Sequence, residues 1–447
     1  MHHTTYSRAL EIMESVCIGC SHCMKVCPTE ALRVVNGKAV LHADWCIDCG
    51  ECYRVCPTRA IRVTDDDFKQ IFDYKYRILL IPTIFFAQFE DNISREEIYN
   101  IIGELGFTET CVVEQSVDTL INEINEYLKN ADKPVISSFC PAVIRLIQVR
   151  FPSLVDNIMK LLPPLEITAQ YYKKRFEKEG ISEGDAGIFY LTPCIAKIAA
   201  VKSPVGGYIS PITGVINMDY FFNKVYLAYK QKIPITKKIV VNKEISSKGV
   251  LFPTTGNESR HIKGRTLAID GMSNSIDFLE MLENEEIEGV DFLEIRTCDE
   301  SCAGGILSYR NRFLAAESLR NFARQTPDTH NLIGEYYRSC SAVVHMDKIE
   351  PRSMIKYDRD IELAIRKMES ARELKELLPG IDCGACGAPS CEALAEDIAR
   401  EQADISACIF LRTVFGKRGE ISLEDSIRIM EKIWGAKRFI KDKDGSQ

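Results

Sequence analysis

Residues 292–305 read FLEIRTCDESCAGG, so a run of apolar side chains leads into two cysteines and a pair of glycines. Two further apolar runs, 135–136 and 188–191, also lead into a cysteine shortly afterwards. In open α/β sheets, ligands gather outside the carboxyl ends of the strands, so cysteines in these places can converge on one site. The cysteines concerned are Cys140, Cys194, Cys298 and Cys302. Four thiolates of this kind suit an iron-sulfur cubane.

The middle of the chain alternates two kinds of hydrophobic pattern. Apolar runs at 77–86 and 110–113 predict strands, and helical periodicity is found at 94–106, 117–128 and 143–162. Ser94, followed by Glu97 three residues later, predicts the start of the first of these helices. This alternation predicts an α/β fold.

Composition restricts the class of protein. The chain has 447 residues, of which 46% are hydrophobic and 27% charged, as in a globular protein of several folded units. A net charge of -8 excludes the basic excess of a nucleic-acid binder. No run approaches the roughly 18–20 apolar residues that span a membrane, and no secretory signal is visible. We therefore expect a cytoplasmic, soluble protein.

The number of cysteines is high for a cytoplasmic protein unless many of them bind metal. Cytosolic reductants keep thiols reduced, so the 18 cysteines indicate metal sites rather than disulfides. Residues 17–28 and 46–57 read CIGCSHCMKVCP and CIDCGECYRVCP, which is one pattern, C-x2-C-x2-C-x3-C-P, used twice. The likeness continues in CPTEALRV and CPTRAIRV. This is an internal duplication.

The duplicated segment resembles a bacterial two-cluster ferredoxin. In that family three closely spaced cysteines hold one 4Fe-4S cluster, and the fourth, before proline, reaches the other cluster. The resemblance implies two sets of ligands: Cys17, Cys20, Cys23 and Cys56 for one cubane, and Cys46, Cys49, Cys52 and Cys27 for the other. A zinc ribbon is the alternative, although zinc takes two cysteine pairs rather than two consecutive quartets.

A third group lies near the C-terminus. Its spacing is Cys383-x2-Cys386-x4-Cys391-x16-Cys408, and Gly384 and Gly387 allow the backbone to turn tightly around a cluster. It resembles the small iron-sulfur domain of corrinoid iron-sulfur proteins and of several redox-linked sensory proteins. The resemblance implies a third accessory 4Fe-4S cluster. A structural zinc ion is the alternative, because four cysteines suit either metal.

The middle domain resembles the active-site domain of iron-iron (FeFe) hydrogenases. The three signature segments are matched by SSFCPAV at 137–143, TPCIAK at 192–197 and EIRTCDESCAGG at 294–305. The resemblance implies two α/β lobes around an H-cluster, in which a 4Fe-4S cubane is joined to a diiron unit carrying CO, cyanide and azadithiolate. Cys140, Cys194, Cys298 and Cys302 would hold the cubane, and Cys302 would be the bridge.

The same resemblance assigns two contacts to the diiron unit. Lys197 matches the lysine that donates a hydrogen bond to a cyanide, and Pro82 with Thr83 matches a backbone contact. An ammonium buried beside an anionic cluster is compensated by the charge of that cluster. The alternative for Lys197 is an ordinary surface lysine.

The resemblance divides the chain into three predicted domains. Residues 1–70 form an α+β two-cluster ferredoxin domain, 74–367 the H-cluster domain, and 368–447 a small, mostly helical domain for the C-terminal cluster.

Several residues depart from the hydrogenase pattern. Phe139 stands where hydrogen-producing members have a proton-carrying cysteine, and a phenyl ring carries no proton. Gln115 and Asp118 lie in the segment that holds the glutamates of the proton relay. Thr192 and Arg296 each replace a methionine. Arg296 could shift the cofactor potential or contact a cyanide, or it could point away into a salt bridge.

These departures resemble the divergent, sensory type of FeFe hydrogenase that carries a C-terminal cluster domain and no PAS domain. Such a protein would interconvert H2 with two protons and two electrons slowly, as an oxidoreductase with a sensory or regulatory role. Its partners would be a ferredoxin or a signalling protein, and the maturation proteins that build the diiron unit. A homodimer is a possible assembly, and neither nucleic acid nor membrane is expected.

Two other functions stay open. One is a ferredoxin-linked catalytic hydrogenase with a different proton path, through Glu114, Asp118, Glu166 or water. The other is a cubane-only electron carrier or assembly factor without the diiron unit. Two cysteines remain unassigned: we expect Cys111 to be a buried apolar residue, whereas Cys340 is either structural or a substitute for the missing proton-carrying thiol.

Overall fold

The computed structural model describes residues 8–90, 92–242, 244–328, 345–352, 357–358 and 360–439. The chain forms two compact units. The sheet unit consists mainly of residues 65–147 and 153–350, and the cysteine-rich unit of residues 10–64, 148–152 and 351–447. The two ends of the chain, which carry the predicted accessory clusters, therefore belong to the same unit.

The elements within these residues are as follows. The strands are β1 (Leu10–Ile12), β2 (Leu32–Val35), β3 (Lys38–Leu41), β4 (Ile61–Val63), β5 (Tyr76–Ile81), β6 (Glu109–Val112), β7 (Val135–Ile136), β8 (Ala186–Thr192), β9 (Gly214–Asn217), β10 (Val240–Asn242), β11 (Thr266–Asp270) and β12 (Phe292–Arg296). The helices are α1 (His22–Lys25), α2 (Glu51–Val55), α3 (Arg95–Glu104), α4 (Val117–Tyr127), α5 (Pro141–Arg150), α6 (Pro164–Glu179), α7 (Ile195–Lys202), α8 (Met218–Lys230), α9 (Ser247–Leu251), α10 (Met272–Glu283), α11 (Arg312–Arg324), α12 (Ile361–Leu377), α13 (Cys391–Ala399), α14 (Ile409–Lys417) and α15 (Leu423–Trp434). None of the helices in the described part of the chain is long and apolar enough to span a bilayer.

The sheet unit is built on two parallel sheets. One has the strand order β10-β6-β5-β8-β9, and the other has the order β11-β12-β7. The central strand β5 is apolar and buried from residue 78 to residue 81, as expected where a parallel sheet is covered on both faces. The predicted α/β fold is confirmed.

Prolines end two elements earlier than predicted. Strand β5 stops at Ile81, not at residue 86, because Pro82 has no N–H for a strand ladder. Residues 83–88 instead form a buried 3-10 helix. Helix α5 stops at Arg150, not at residue 162, and a 3-10 helix, Pro152–Asn157, follows.

Helix α3 begins where its capping signal predicts. The Ser94 hydroxyl accepts a hydrogen bond from the Glu97 amide at 3.2 Å, and the Glu97 carboxylate accepts one from the Ser94 amide at 3.0 Å. This reciprocal pair satisfies two amides that a helix start leaves without partners.

The cysteine-rich unit joins two antiparallel strand pairs, β1 with β4 and β2 with β3, to the C-terminal helices. The amide of Val34 donates to the carbonyl of Gly387 at 2.8 Å, and that of Gly37 to Ile433 at 3.0 Å. The C-terminal segment thus covers the open edge of β2, which would otherwise leave backbone groups without partners.

Candidate functional site

The three strand ends of the sheet unit bring their cysteines together. The Cys140 sulfur lies 3.7 Å from the Thr297 hydroxyl, next to Cys298. Burial raises the pKa of Cys194 to about 12, and negative charge on the neighbouring Cys140 and Cys302 raises it too. Cys140, Cys194 and Cys302 therefore lie close together after β7, β8 and β12, and Cys298 follows Thr297, which lies beside Cys140.

Glycine after Cys302 allows two of these loops to touch. A β-carbon on Gly305 would stand 2.6 Å from the Pro193 carbonyl oxygen, which also accepts the Leu307 amide at 3.0 Å. No side chain fits in that space. The loop that carries Cys302 is thereby fixed against the loop that carries Cys194.

Lys197 points at the cysteine group. Its ammonium lies 4.0 Å from the Cys302 sulfur and 4.4 Å from the centre of the Phe139 ring. Burial lowers the pKa of Lys197, but negative charge on Cys302, Tyr190 and other neighbours outweighs it and holds the pKa above the usual value. Lys197 is a cation directed at the site, not a surface lysine.

Thr83 contacts a carboxylate where the sequence resemblance implies a cofactor. Pro82 ends β5, and the Thr83 amide donates to Glu114 Oε2 at 3.0 Å. The Thr83 hydroxyl donates to the Val250 carbonyl at 3.4 Å, and the residue is fully buried. Glu114 therefore holds the backbone at the end of β5 in place.

A cavity of about 50 Å³ lies beside Phe139 and Lys197. Glu114 and Glu166 both line it, and burial raises the pKa of each carboxyl to about 7. Ser210 donates to Glu166 Oε1 at 3.0 Å, whereas Oε2 has no hydrogen-bond partner among the described residues. The cavity therefore holds two carboxyl groups that can exchange protons near neutral pH.

Arg296 lies in a buried ion pair. Its guanidinium contacts Glu258 at 2.7 Å and stacks on the Phe139 ring at 3.7 Å. Ser137 donates to both oxygens of Glu258, at 2.8 and 2.7 Å, and Glu294 lies 3.6 Å from Arg296. Arg296 Nε and Nη1 have no hydrogen-bond acceptor in the part of the chain that the structure describes. The Phe139 ring is thus held between two cations, Lys197 and Arg296.

Sequence reasoning missed Glu258, because nothing in TTGNESR at 254–260 marks it as buried.

Gln115 lies outside the cavity: it donates to Asn242 Oδ1 at 2.8 Å and accepts from the buried Cys111 thiol at 3.0 Å. Asp118 does not line the cavity either. Cys340 lies outside the described residues.

The duplicated cysteines form two groups with matching contacts. The pKa of Cys23 is raised to about 12 by burial and then by charge on Cys20, Cys17 and Cys56. The pKa of Cys49 is raised by burial and then by charge on Cys52, Cys27 and Cys46. Ala31 and Ala60, in equivalent places, each donate an amide hydrogen bond at 3.2 Å to the cysteine before proline, Cys27 and Cys56 respectively. These contacts fit the crossed grouping that the ferredoxin resemblance implies, and the grouping stays a prediction, because the pKa of Cys52 is raised by burial and then by charge on Cys27 and also on Cys23.

The C-terminal cysteines also share one site. A small cavity of about 10 Å³ is lined by Cys383, Cys386, Cys391 and Cys408. Cys391 is the first residue of α13, and Cys408 immediately precedes α14. Helix α13 thus separates the first three ligands from the fourth, as the long spacing predicts.

The cysteine groups have the donor set of cubanes. Four thiolates are the usual ligands of a 4Fe-4S cluster. The four groups of four cysteines therefore offer the donor set of such clusters.

Three family models match this chain. Residues 9–57 match "4Fe-4S dicluster domain", residues 81–207 match "Iron only hydrogenase large subunit, C-terminal domain", and residues 378–410 match "Putative Fe-S cluster". The chain is thus similar to iron-only hydrogenases over residues 81–207 and to iron-sulfur domains over two further segments, and the predicted resemblance to iron-iron hydrogenases is confirmed. The hydrogenase model ends before Cys298 and Cys302.

Curated relatives match short segments. The chain is 32% identical over 79 residues to the uncharacterized protein MJ0119 of Methanocaldococcus jannaschii, covering 18% of this chain and 35% of that protein. It is 50% identical over 36 residues to one component of the ion-translocating oxidoreductase complex of Rhodobacter capsulatus, covering 8% of this chain and 19% of that component. The chain spans about a third of the length of the first relative and less of the second.

Solved structures of FeFe-hydrogenases are also similar. A variant of HydA1 from Chlamydomonas reinhardtii is 14% identical with a TM-score of 0.46, covering 64% of this chain and 96% of that one. An FeFe-hydrogenase studied for its inactivation by oxygen is 14% identical with a TM-score of 0.47, with the same coverage.

Proposed function

We propose that the sheet unit holds an H-cluster and that the protein activates H2 reversibly, with low turnover, in a sensory or regulatory role. The observation that carries the proposal is the Lys197 ammonium, which lies 4.0 Å from the Cys302 sulfur at the edge of a cavity with two carboxyl groups. Cys140, Cys194, Cys298 and Cys302 would hold the cubane, and Cys302 would bridge to the diiron unit. When bound, that unit supplies the metal site for H2.

The proposed roles of the other residues follow from their contacts. Lys197 would donate to a cyanide and compensate the negative charge of the cofactor. Glu114 holds the backbone at Pro82 and Thr83 through the Thr83 amide, where the diiron unit would lie. Arg296, paired with Glu258, holds the Phe139 ring and adds positive charge to the same side.

Phe139 is the residue that makes turnover slow in this proposal. Its ring occupies the place of a proton carrier between Lys197 and Arg296, and it does not ionise. A site that binds H2 but delivers protons slowly changes its redox state without sustaining a high flux. That behaviour suits detection of hydrogen.

An infrared spectrum of the anaerobically matured protein, taken under argon and then under H2, tests the proposal. We expect bands of metal-bound CO and cyanide that shift when H2 replaces argon. Absence of the bands after competent maturation would reject the H-cluster and favour the cubane-only alternative.

Replacing the bridging cysteine should remove these bands. We expect Cys302→Ala to lose the CO and cyanide bands, because the diiron unit loses its only proposed thiolate. Cys111→Ala is the matched control, since Cys111 is buried in the same unit but belongs to none of the four cysteine groups. A Cys302→Ala protein with unchanged bands would overturn the bridging assignment.

Restoring a thiol at position 139 should speed turnover. We expect Phe139→Cys to raise H2 evolution from a reduced viologen by about 10²-fold, the low end of what a positioned acid-base group contributes. Phe252→Cys is the control, because Phe252 packs on Phe139 at 5.2 Å but does not line the cavity. Equal rates in the two variants would show that Phe139 does not limit proton delivery.

A catalytic hydrogenase with another proton path is the second candidate. It is favoured by Glu114 and Glu166, whose carboxyl groups line the cavity with pKa values raised to about 7 by burial. High turnover of the unmodified protein, lost in Glu166→Gln, would select this function.

The proposed partners follow from the chemistry. Electrons would pass between the accessory clusters and a ferredoxin or signalling protein in the cytoplasm, and maturation proteins would install the diiron unit. A pull-down under anaerobic conditions with and without H2 would identify a partner that reads the redox state.

A further inference from the structure

The loop of the C-terminal cysteines touches the loop of one ferredoxin cysteine group. Gly384 follows Cys383, and a β-carbon built on it would lie 3.2 Å from the terminal methyl carbon of Met24. Met24 follows Cys23 and is only 1% exposed. One buried methionine side chain therefore fills the space between the two cysteine loops.

A second connection runs through the backbone. The Val34 amide donates to the Gly387 carbonyl at 2.8 Å, and Gly387 follows Cys386. Val34 is paired with Ala39 across the β2-β3 hairpin, and the Ala39 amide donates to the Cys17 sulfur at 3.3 Å. This path, made of two hydrogen bonds and one cross-strand pair, leads from the C-terminal cysteine loop to the same ferredoxin group, the one that includes Cys17 and Cys23.

The other ferredoxin group has a contact at the far end of helix α13. Cys391 begins this helix, and Arg400, which follows its last residue, stacks on Trp45 at 4.2 Å, next to Cys46. Nine helical steps between Cys391 and Arg400 span roughly 13 Å. Cys27 of this group lies nearer, because its amide donates to the Met24 carbonyl at 3.5 Å. The two connections described above lead to Cys17 and Cys23, whereas Cys46 lies at the far end of this helix.

We propose that the C-terminal cluster exchanges electrons directly with the cluster held by Cys17, Cys20, Cys23 and Cys56, and does so faster than with the other ferredoxin cluster. In each step one electron leaves a reduced cubane, which returns to its oxidised 2+ state, and the acceptor cubane becomes 1+. A low-potential one-electron carrier supplies the electron from outside. The inference rests on the proposed accessory clusters and does not require the diiron unit.

Electron paramagnetic resonance of the full-length, reconstituted protein reduced with dithionite tests this order without the diiron unit. Cys49→Ser removes one ferredoxin cluster and Cys20→Ser the other. We expect the remaining pair of signals to show magnetic splitting in Cys49→Ser and loss of that splitting in Cys20→Ser. Splitting that is equal in both, or larger in Cys20→Ser, would overturn the proposal, as would an iron content that Cys383→Ser does not lower.

A glycine substitution tests the contact itself. Gly387 has a φ of +82°, and a β-carbon there would lie 2.4 Å from the Val34 carbonyl oxygen, so Gly387→Ala must push the two loops apart. Gly380→Ala is the matched control, with a φ of +64° and nothing within 4 Å. We expect Gly387→Ala to weaken the splitting while Gly380→Ala keeps it. Equal splitting in the two variants would show that this contact does not set the electron path.

Discussion

Asp397→Ala should lower the free energy of unfolding of the cysteine-rich unit by about 3–5 kcal/mol, the cost of leaving a buried charge without its partner. The Asp397 carboxylate accepts hydrogen bonds from Arg33 Nε at 2.5 Å and Nη2 at 3.1 Å, and it also pairs with Arg400. Both guanidinium groups lie over Trp45, at 5.5 and 4.2 Å. Without Asp397, two buried cations face each other beside one ring.

The two tryptophans of the chain, Trp45 and Trp434, both lie in this unit, so fluorescence during anaerobic urea unfolding measures it directly. Glu362→Ala is the control, because its ion pair with Arg366 is exposed and should contribute less than about 1 kcal/mol. Arg33→Met with Asp397→Leu leaves one unpaired cation, Arg400, instead of two, and should therefore cost less than Asp397→Ala alone. If the double variant is as unstable as the single one, the explanation by an unpaired charge is wrong.

Arg296→Met should be the most destabilising single change in the sheet unit. Above neutral pH, we expect it to lower the free energy of unfolding by about 3–5 kcal/mol. Arg296 is 2% exposed, and it faces Glu258 and Glu294, which are fully buried. Glu294 also accepts the amides of Gly256 and Ser259 at 3.0 and 2.9 Å, so it keeps partners after the change. Glu258 would keep only the hydroxyl of Ser137.

The loss of stability in Arg296→Met should be larger at high pH than at low pH. Burial raises the pKa of Glu258 while Arg296 lowers it, so the methionine variant raises this pKa further. When folding raises the pKa of a carboxyl, the group does not destabilise the folded state at pH values below its pKa in the unfolded chain. The free energy of unfolding then falls as the pH rises towards the pKa of the folded state. Urea unfolding followed by circular dichroism should therefore show a larger loss at pH 8 than at pH 5. Arg324→Met, an exposed arginine of α11, is the control, and a loss independent of pH would contradict the assignment.

Much of the site could be predicted because its chemistry is local in sequence. The duplicated ferredoxin segment and the cysteines that follow strands β7, β8 and β12 depend on short spacings, and short spacings are readable in one chain. The α/β fold followed from the alternation of apolar patterns, and the structure confirms it. The element ends at Pro82 and Pro152 were wrong because apolar composition was given more weight than the missing proline N–H.

The contacts that could not be predicted join residues far apart in sequence. The residues around Arg296 in the sequence do not indicate that Glu258 is its partner. The sequence alone therefore could not decide whether Arg296 contacts the cofactor or forms a salt bridge. The pairing of Val34 with Gly387 is also invisible, because hydrogen bonds between backbone groups leave little trace in residue types. Three domains could be drawn along the chain, but which of them pack together depends on such distant contacts.

The cysteine-rich unit has a consequence for synthesis on the ribosome. Its two halves, 10–64 and 351–447, are separated by the sheet unit, so the partner of strand β2 emerges long after the strand itself. At about 5–20 residues per second, this interval lasts about 15–60 seconds. Throughout that time the nascent chain presents an uncovered strand edge and oxygen-sensitive thiols. The N-terminal segment therefore reaches its final packing only after the C-terminal segment has been synthesised.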